Sequence, residues 1–281
     1  MKTVISASRR TDLVASFPDW LAAALRDKSV RVTGPRGRVR DIDLDPRSVH
    51  TVVLWSKNFT NLIRNASGLR DLLGEYDQLY LHFTITGLGG TPVEAGAPRP
   101  AEAMAQLPAL TEIAGRPERL SLRFDPVLFW REDGCVRSNL ASFGTVADAA
   151  AGCGIRDVRV SFAQWYTKAR ARAAAGGFAF IDLAEEEKRA VAAGLAAEAA
   201  KRGLTLHACT QPFLAGVPGI RPSACIDGRL LERLHPDREP ASGRKDAGQR
   251  AGCLCTESRD IGSYAQRCPH GCVYCYANPG G

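Results

Sequence analysis

Seven of the nine cysteines in this 281-residue chain fall in its last third, a crowding that points to thiol chemistry. The tail reads Arg267-Cys268-Pro269-His270-Gly271-Cys272-Val273-Tyr274-Cys275-Tyr276, a C-x-x-x-C-x-x-C with an aromatic residue just before its last cysteine. Soft thiolates suit iron, and three on one short loop can hold three corners of a 4Fe-4S cube. The fourth iron then has no protein ligand, which leaves an open position of the kind a reacting ligand needs. A zinc knuckle using His270 as fourth ligand is the competing reading, although zinc sites usually come as two C-x-x-C pairs or with a distant histidine. Cys209, Cys225, Cys253 and Cys255 form a further set of four, the complement for a fully ligated second 4Fe-4S cluster or for one structural zinc. Buried thiols acting as small hydrophobes are the bland alternative for this set.

The cysteine count is odd and no secretory h-region opens the chain, which argues for reduced thiols and a cytoplasmic protein rather than a disulfide framework. No run of about twenty apolar residues is present, so no membrane partner is expected. The formal charge of +7 favours anionic partners, and nucleic acid is among them, yet no stripe of alternating aromatic and basic residues is visible along the sequence.

The spacing of the closing cysteines and the aromatic at Tyr274 resemble the radical S-adenosylmethionine (SAM) superfamily. The resemblance implies that SAM chelates the open iron through its amino and carboxylate groups, with Tyr274 beside the adenine. It further implies reductive cleavage to methionine and a 5'-deoxyadenosyl radical that abstracts hydrogen from a substrate, with flavodoxin or ferredoxin as electron donor. Typical members carry the motif near the N-terminus, so the order here is permuted. Gln249-Arg250, Cys253, Cys255, Asp260-Ile261-Gly262 and the Tyr274 to Ala277 run resemble an uncharacterised bacterial domain-of-unknown-function family with such a C-terminal cluster, over nearly the whole chain. Leu81 to Thr86 and Arg123 to Pro126 faintly resemble segments of spore photoproduct lyase, which makes a DNA-repair lyase the alternative within the superfamily. A non-catalytic zinc- or iron-sulfur-binding scaffold is the alternative outside it.

Positioning such a loop requires a scaffold, and the sequence offers one. Short β-rich runs at 3–8, 50–56, 79–86, 119–125, 156–162 and 204–209 alternate with helical stretches at 18–28, 99–114, 138–151 and 183–202. That alternation predicts an α/β fold with a parallel sheet, a six-stranded partial (β/α) TIM-like barrel over residues 1–235. Residues 236–281 read as a polar linker followed by the cysteine-rich tail, packing on the barrel. Several of the strands alternate apolar and polar residues, so one face is expected to line a wet cavity.

Functional groups in such folds sit at the C-terminal ends of strands. Arg123, Asp125 and Lys57 are the candidates for catalytic contacts, and Arg10, Thr84, Thr86 and Tyr274 for contacts with SAM, whose carboxylate wants a guanidinium or ammonium partner. Arg9, Asp12, Trp55, Ser56, Asn58, Ser161, Gln164 and Gln211 occupy similar places. His82 and His207 lie within strands, where a lone histidine is more often a satisfied core residue than a ligand. The Ala-rich 168–177 segment reads as scaffold.

Overall fold

A computed structural model describes residues 1–33, 37 and 39–277. In chain order the strands are β1 (Thr3–Ala7), β2 (Ser29–Thr33), β3 (Val39–Asp43), β4 (Val49–Ser56), β5 (Leu79–Thr84), β6 (Leu120–Val127), β7 (Phe129–Glu132), β8 (Cys135–Ser138), β9 (Asp157–Phe162), β10 (Ala179–Ile181), β11 (Thr205–Cys209), β12 (Ile220–Ser223) and β13 (Arg259–Asp260). The chain divides into two units. One holds Met1–Phe83, Pro108–Leu120 and Ala224–Cys268; the other holds Thr84–Leu107, Ser121–Ser223 and the residues from Pro269 onward.

In the first unit, β1, β4 and β5 are rich in β-branched and aromatic residues and pair in parallel, with Ile5 opposite Val52 and Val52 opposite Leu79. A parallel return needs a crossover, supplied after β1 by the helix Pro18–Arg26. Pro18 starts it, Asp19 and Arg26 complement its dipole, and Leu21, Ala22 and Leu25 are buried. The antiparallel hairpin β2–β3 follows. The free edge of β1 is taken by β13, with Ile5 opposite Arg259 and Ser6 opposite Asp260. That pairing joins the start of the chain to a segment some 250 residues later.

In the second unit, β6, β9, β11 and β12 pair in parallel, and β7 pairs antiparallel with both β8 and β10. The helix Glu185–Ala200 leads into β11. Three glutamates fill its first turn, and Ala192, Leu195, Ala196 and Ala199 bury one face at helical spacing.

The α/β class with parallel strands joined through helices is thus present. Eight strands rather than six pair in parallel, four to a unit, and no closed barrel is found among the described residues. The two additional strands are edge strands, one of only two residues and one carrying Pro222, too short or too interrupted to alternate visibly. The polar strand faces are also drier than the alternation suggests. His50, Thr51, His82, Ser121, Arg123 and Arg159 are all buried. His82 stacks on Trp55 at 4.1 Å and its Nε2–H donates to the Cys225 carbonyl at 2.7 Å, so this histidine belongs to the core.

His207 is likewise spent on structure, its Nε2 lying 2.8 Å from Asp157 Oδ1 across the β9–β11 pair. This hydrogen bond holds the Asp157 pKa below the usual carboxylate value. An acid depressed in the folded state adds stability that is fully present above its unfolded pKa, about 3.9, and is lost as pH falls through the lower folded value. Asp157→Asn is therefore expected to flatten the acid limb of thermal stability below about pH 4. The effect is about 0.5 kcal/mol because the carboxylate is partly solvated, and melting curves from pH 2 to 7 measure it.

Candidate functional site

The tail residues after Pro269 fold against the loop that follows β5 in the second unit. That loop, 85–98, is rich in glycine and proline and carries one charged residue, Glu94, which is 1% exposed. A buried carboxylate needs partners. Thr86 Oγ1 donates to Glu94 Oε1 at 2.6 Å, and Tyr274 Oη donates to the same oxygen. The backbone completes the attachment: Val273 N–H donates to the Val93 carbonyl and Gly96 N–H to the His270 carbonyl, both at 3.0 Å. Val273 is buried in an apolar cluster with Leu88, Val93, Leu128, Trp130 and Phe178, and Tyr274 packs against it. From the Ala-rich helix Thr167–Ala175, Arg172 donates to the carbonyls of Val273, at 3.2 Å, and Cys275. A segment that reads as scaffold thus supplies a clamp on the cysteine loop.

Cys272 is buried and Cys275 half-buried. Burial raises the Tyr274 phenol well above its ordinary value, and the charges of Cys272, Glu94 and Cys275 push the same way, so both sulfurs share the neighbourhood of this side chain. Cys268 is the last residue of the first unit and is half-buried. His270 is buried with Nδ1 3.0 Å from the Gly96 carbonyl, an N–H to oxygen bond that leaves its Nε2 as the lone-pair nitrogen.

The other candidates of the second unit converge among themselves. Arg123 donates to Asp125 Oδ2, and Ser161 Oγ donates to Asp125 Oδ1. Asn139, which the sequence does not flag, is 2% exposed and holds three backbone groups, the carbonyls of Thr86 and Pro126 and the N–H of Leu128. Gln211 binds both backbone groups of Phe162 at 2.8 Å. Thr84 is half-buried at the end of β5. Cys209 ends β11 with its Sγ 3.4 Å from Thr210 Oγ1.

In the first unit three thiols converge. Cys225, Cys253 and Cys255 are 5%, 6% and 2% exposed. Thr256 N–H donates to the Ile226 carbonyl at 2.9 Å and Ile226 N–H reaches Cys255 Sγ at 3.4 Å, bonds that bring the two cysteine segments side by side. A hydrogen bond from Cys255 lowers the Cys253 thiol to about 6, whereas hydrogen bonding with Cys225 and Cys253, with burial, pushes Cys255 far up. The opposite shifts show that the two thiols are linked through a shared hydrogen bond. Burial works against the charge of Arg9, yet Cys255, Asp260 and Cys225 outweigh it and hold the guanidinium charged.

Asp260 organises the rest of this corner. Its carboxylate accepts from Ser6 Oγ at 2.9 Å, Ser8 Oγ at 2.7 Å and Arg9 N–H at 2.8 Å. Arg10 lies 3.9 Å from Asp260 and donates to the Gly262 carbonyl at 2.8 Å. Gly262 is required there, since a Cβ would sit 2.1 Å from Ser8 Oγ. Asp12 caps the helix Leu13–Ser16 and accepts from Ser56 Oγ and from Lys57 N–H, each at 2.9 Å, so it positions these strand ends.

A second ligand-like group, Asp77, His235 and Glu239, gathers its donor atoms within 4.8 Å. Lys2 Nζ already bridges the two carboxylates at 2.8 and 2.9 Å. Asp237 N–H donates to His235 Nδ1, so Nε2 carries the proton and faces Asp77 at 3.7 Å. This is an ion-pair network tying the chain start to the 235–239 segment rather than a metal site.

Among the described residues no helix is long and apolar enough to cross a membrane. Residues 4–277 match the model of a family described as Domain of unknown function (DUF1848). No curated protein matches the chain.

Proposed function

The chain belongs to the DUF1848 family, and from that premise and its closing cysteines we propose a radical SAM enzyme with a 4Fe-4S cluster on Cys268, Cys272 and Cys275. The observation that carries this reading is the C-x-x-x-C-x-x-C itself, with Tyr274 before its last cysteine. The donor set fits the group: soft sulfurs, one of them buried, on a loop whose backbone is held by Val93, Gly96 and Arg172. When bound, the cluster supplies the electron that splits SAM into methionine and a 5'-deoxyadenosyl radical for hydrogen abstraction from substrate.

The protein's own part is positioning and exclusion of water. Glu94 fixes Tyr274 through its phenol, and Thr86 fixes Glu94, so Thr86 acts on the loop through the carboxylate. Arg172 holds the loop backbone from the opposite side by charge-assisted hydrogen bonds. Cys225, Cys253 and Cys255, which converge in the first unit, are the thiols for a second metal centre, either an electron-relaying cluster or a structural zinc.

Anaerobic purification followed by iron, sulfide and zinc analysis tests the reading. Iron with an equal amount of acid-labile sulfide supports it, whereas about two zinc ions without iron identify a metal scaffold. The scaffold reading has one observation in its favour, the buried His270 between Cys268 and Cys272, whose ring is held at Nδ1 by the Gly96 carbonyl. His270→Gln separates the two: a cluster on three cysteines is retained, and a knuckle loses its zinc.

Gly96 offers a further check on the loop. A Cβ there would lie 2.2 Å from the Pro269 carbonyl oxygen and 3.0 Å from His270 Cα, both backbone atoms. Gly96→Ala is expected to lift the loop and lower retained iron several-fold after gel filtration. Gly152→Ala, with open space around its Cβ, leaves iron unchanged.

A further inference from the structure

A groove of about 930 Å³ lies in the first unit beside β1, β13 and the β2–β3 hairpin. Its volume is that of a small-molecule site, and its lining carries six cationic side chains against three carboxylates. The carboxylates already have partners within the protein. Asp260 is held by Ser6, Ser8 and Arg9, Glu257 accepts from Ser242 Oγ at 2.8 Å and Arg244 Nε at 3.0 Å, and Asp246 accepts from Gly248 N–H at 2.9 Å. Arg40 and Arg259 are both exposed, and the carboxylate near Arg259, Glu257, already accepts from Arg244. The groove is therefore left with a positive surplus.

One wall is apolar, made by Val32 and Ile42 of the hairpin. Basic residues that the sequence scatters over more than 250 positions thus line one groove. Guanidinium groups recognise phosphate by paired charge-assisted hydrogen bonds, and the apolar wall of Val32 and Ile42 suits the flat face of a base. SAM, with an ammonium, a sulfonium and one carboxylate, carries net positive charge and is disfavoured by the same surplus.

We propose that this groove binds a phosphate-bearing nucleotide at a site distinct from that of SAM. The inference stands whether or not the chain performs radical chemistry, because it rests on the groove alone.

Calorimetric titration of ADP and of inorganic pyrophosphate into the anaerobically purified full-length protein tests it, at an ionic strength of about 0.15 M. The expected result is one ADP per chain, competed by pyrophosphate and weakened by added salt. Arg40→Gln and Arg259→Gln should each weaken binding about tenfold, the loss expected for one charged hydrogen bond. Both side chains are exposed, so the variants should melt as the parent does, and Arg259→Lys should recover part of the loss. The proposal is overturned by absence of saturable ADP binding, by variants that bind ADP like the parent, or by displacement of ADP by excess SAM. It is overturned equally if a single-stranded oligonucleotide binds and ADP neither binds nor competes, which would make the groove a polymer track.

Discussion

Cys272→Ala is expected to end 5'-deoxyadenosine formation and to weaken iron retention by the closing loop more than about a hundredfold. Loss of residues that merely support metal ligands already costs 10- to about 100-fold in affinity, and Cys272 is proposed as a ligand itself. The side chain is small and the loop is held by other groups: the Val93 carbonyl, the Gly96 N–H, Arg172 and the apolar contacts of Val273. Removing one buried sulfur should therefore cost no more than about 1 kcal/mol of folding stability, so the variant should be soluble and folded. The absorption of the anaerobically reconstituted protein near 400 nm, with chromatography of the reaction products, measures both effects. Retention of iron and of SAM cleavage by Cys272→Ala would exclude this thiol as a ligand.

Cys255→Ala should remove the other metal centre and leave the closing loop loaded. Cys255 is the most buried of the three clustered thiols, bonded to both Cys225 and Cys253 and reached by Ile226 N–H. Metal content should fall by one centre per chain, and the apo protein should lose about 1 kcal/mol, the cost of one buried hydrogen-bonded thiol. Cys135→Ala, at an exposed position outside the cluster, is the control and should change neither quantity. Elemental analysis with thermal melts reads both. An unchanged metal content in Cys255→Ala would mean that the clustered thiols serve only as packing.

How much of this was legible in the sequence follows from which contacts are local. β5, β6 and β9 could be read because each repeats an apolar residue every second position over five residues, and β1, β4 and β11 as short runs of residues that favour strands. β13 could not, being two residues whose only signal is their pairing with Ile5 and Ser6. The cysteines announced themselves by type and spacing, whereas their supporting groups did not. Arg172 sits in an alanine-rich helix where nothing marks it apart from Arg170, and its role exists only because the tail returns to that helix.

Glu94 had a faint signal, the lone charge in a glycine- and proline-rich loop, a place where a carboxylate is retained for a specific partner. The polar strand faces misled for the opposite reason. Alternation reports which residues differ, not whether the polar ones meet water, and here Asp157 with His207 and Arg123 with Asp125 satisfy one another inside the second unit. The basic groove was invisible because Lys2, Arg40, Arg244 and Arg259 lie in four separate segments.

Whether the closing loop leaves one iron position open for SAM can be read from electron paramagnetic resonance of the reduced, iron-loaded protein. The expected spectrum is a reduced-cluster signal whose g-values shift when SAM is added, followed by release of 5'-deoxyadenosine and loss of both effects in Cys272→Ala. A fully iron-loaded protein whose spectrum is the same with and without SAM, and which forms no 5'-deoxyadenosine, would contradict it.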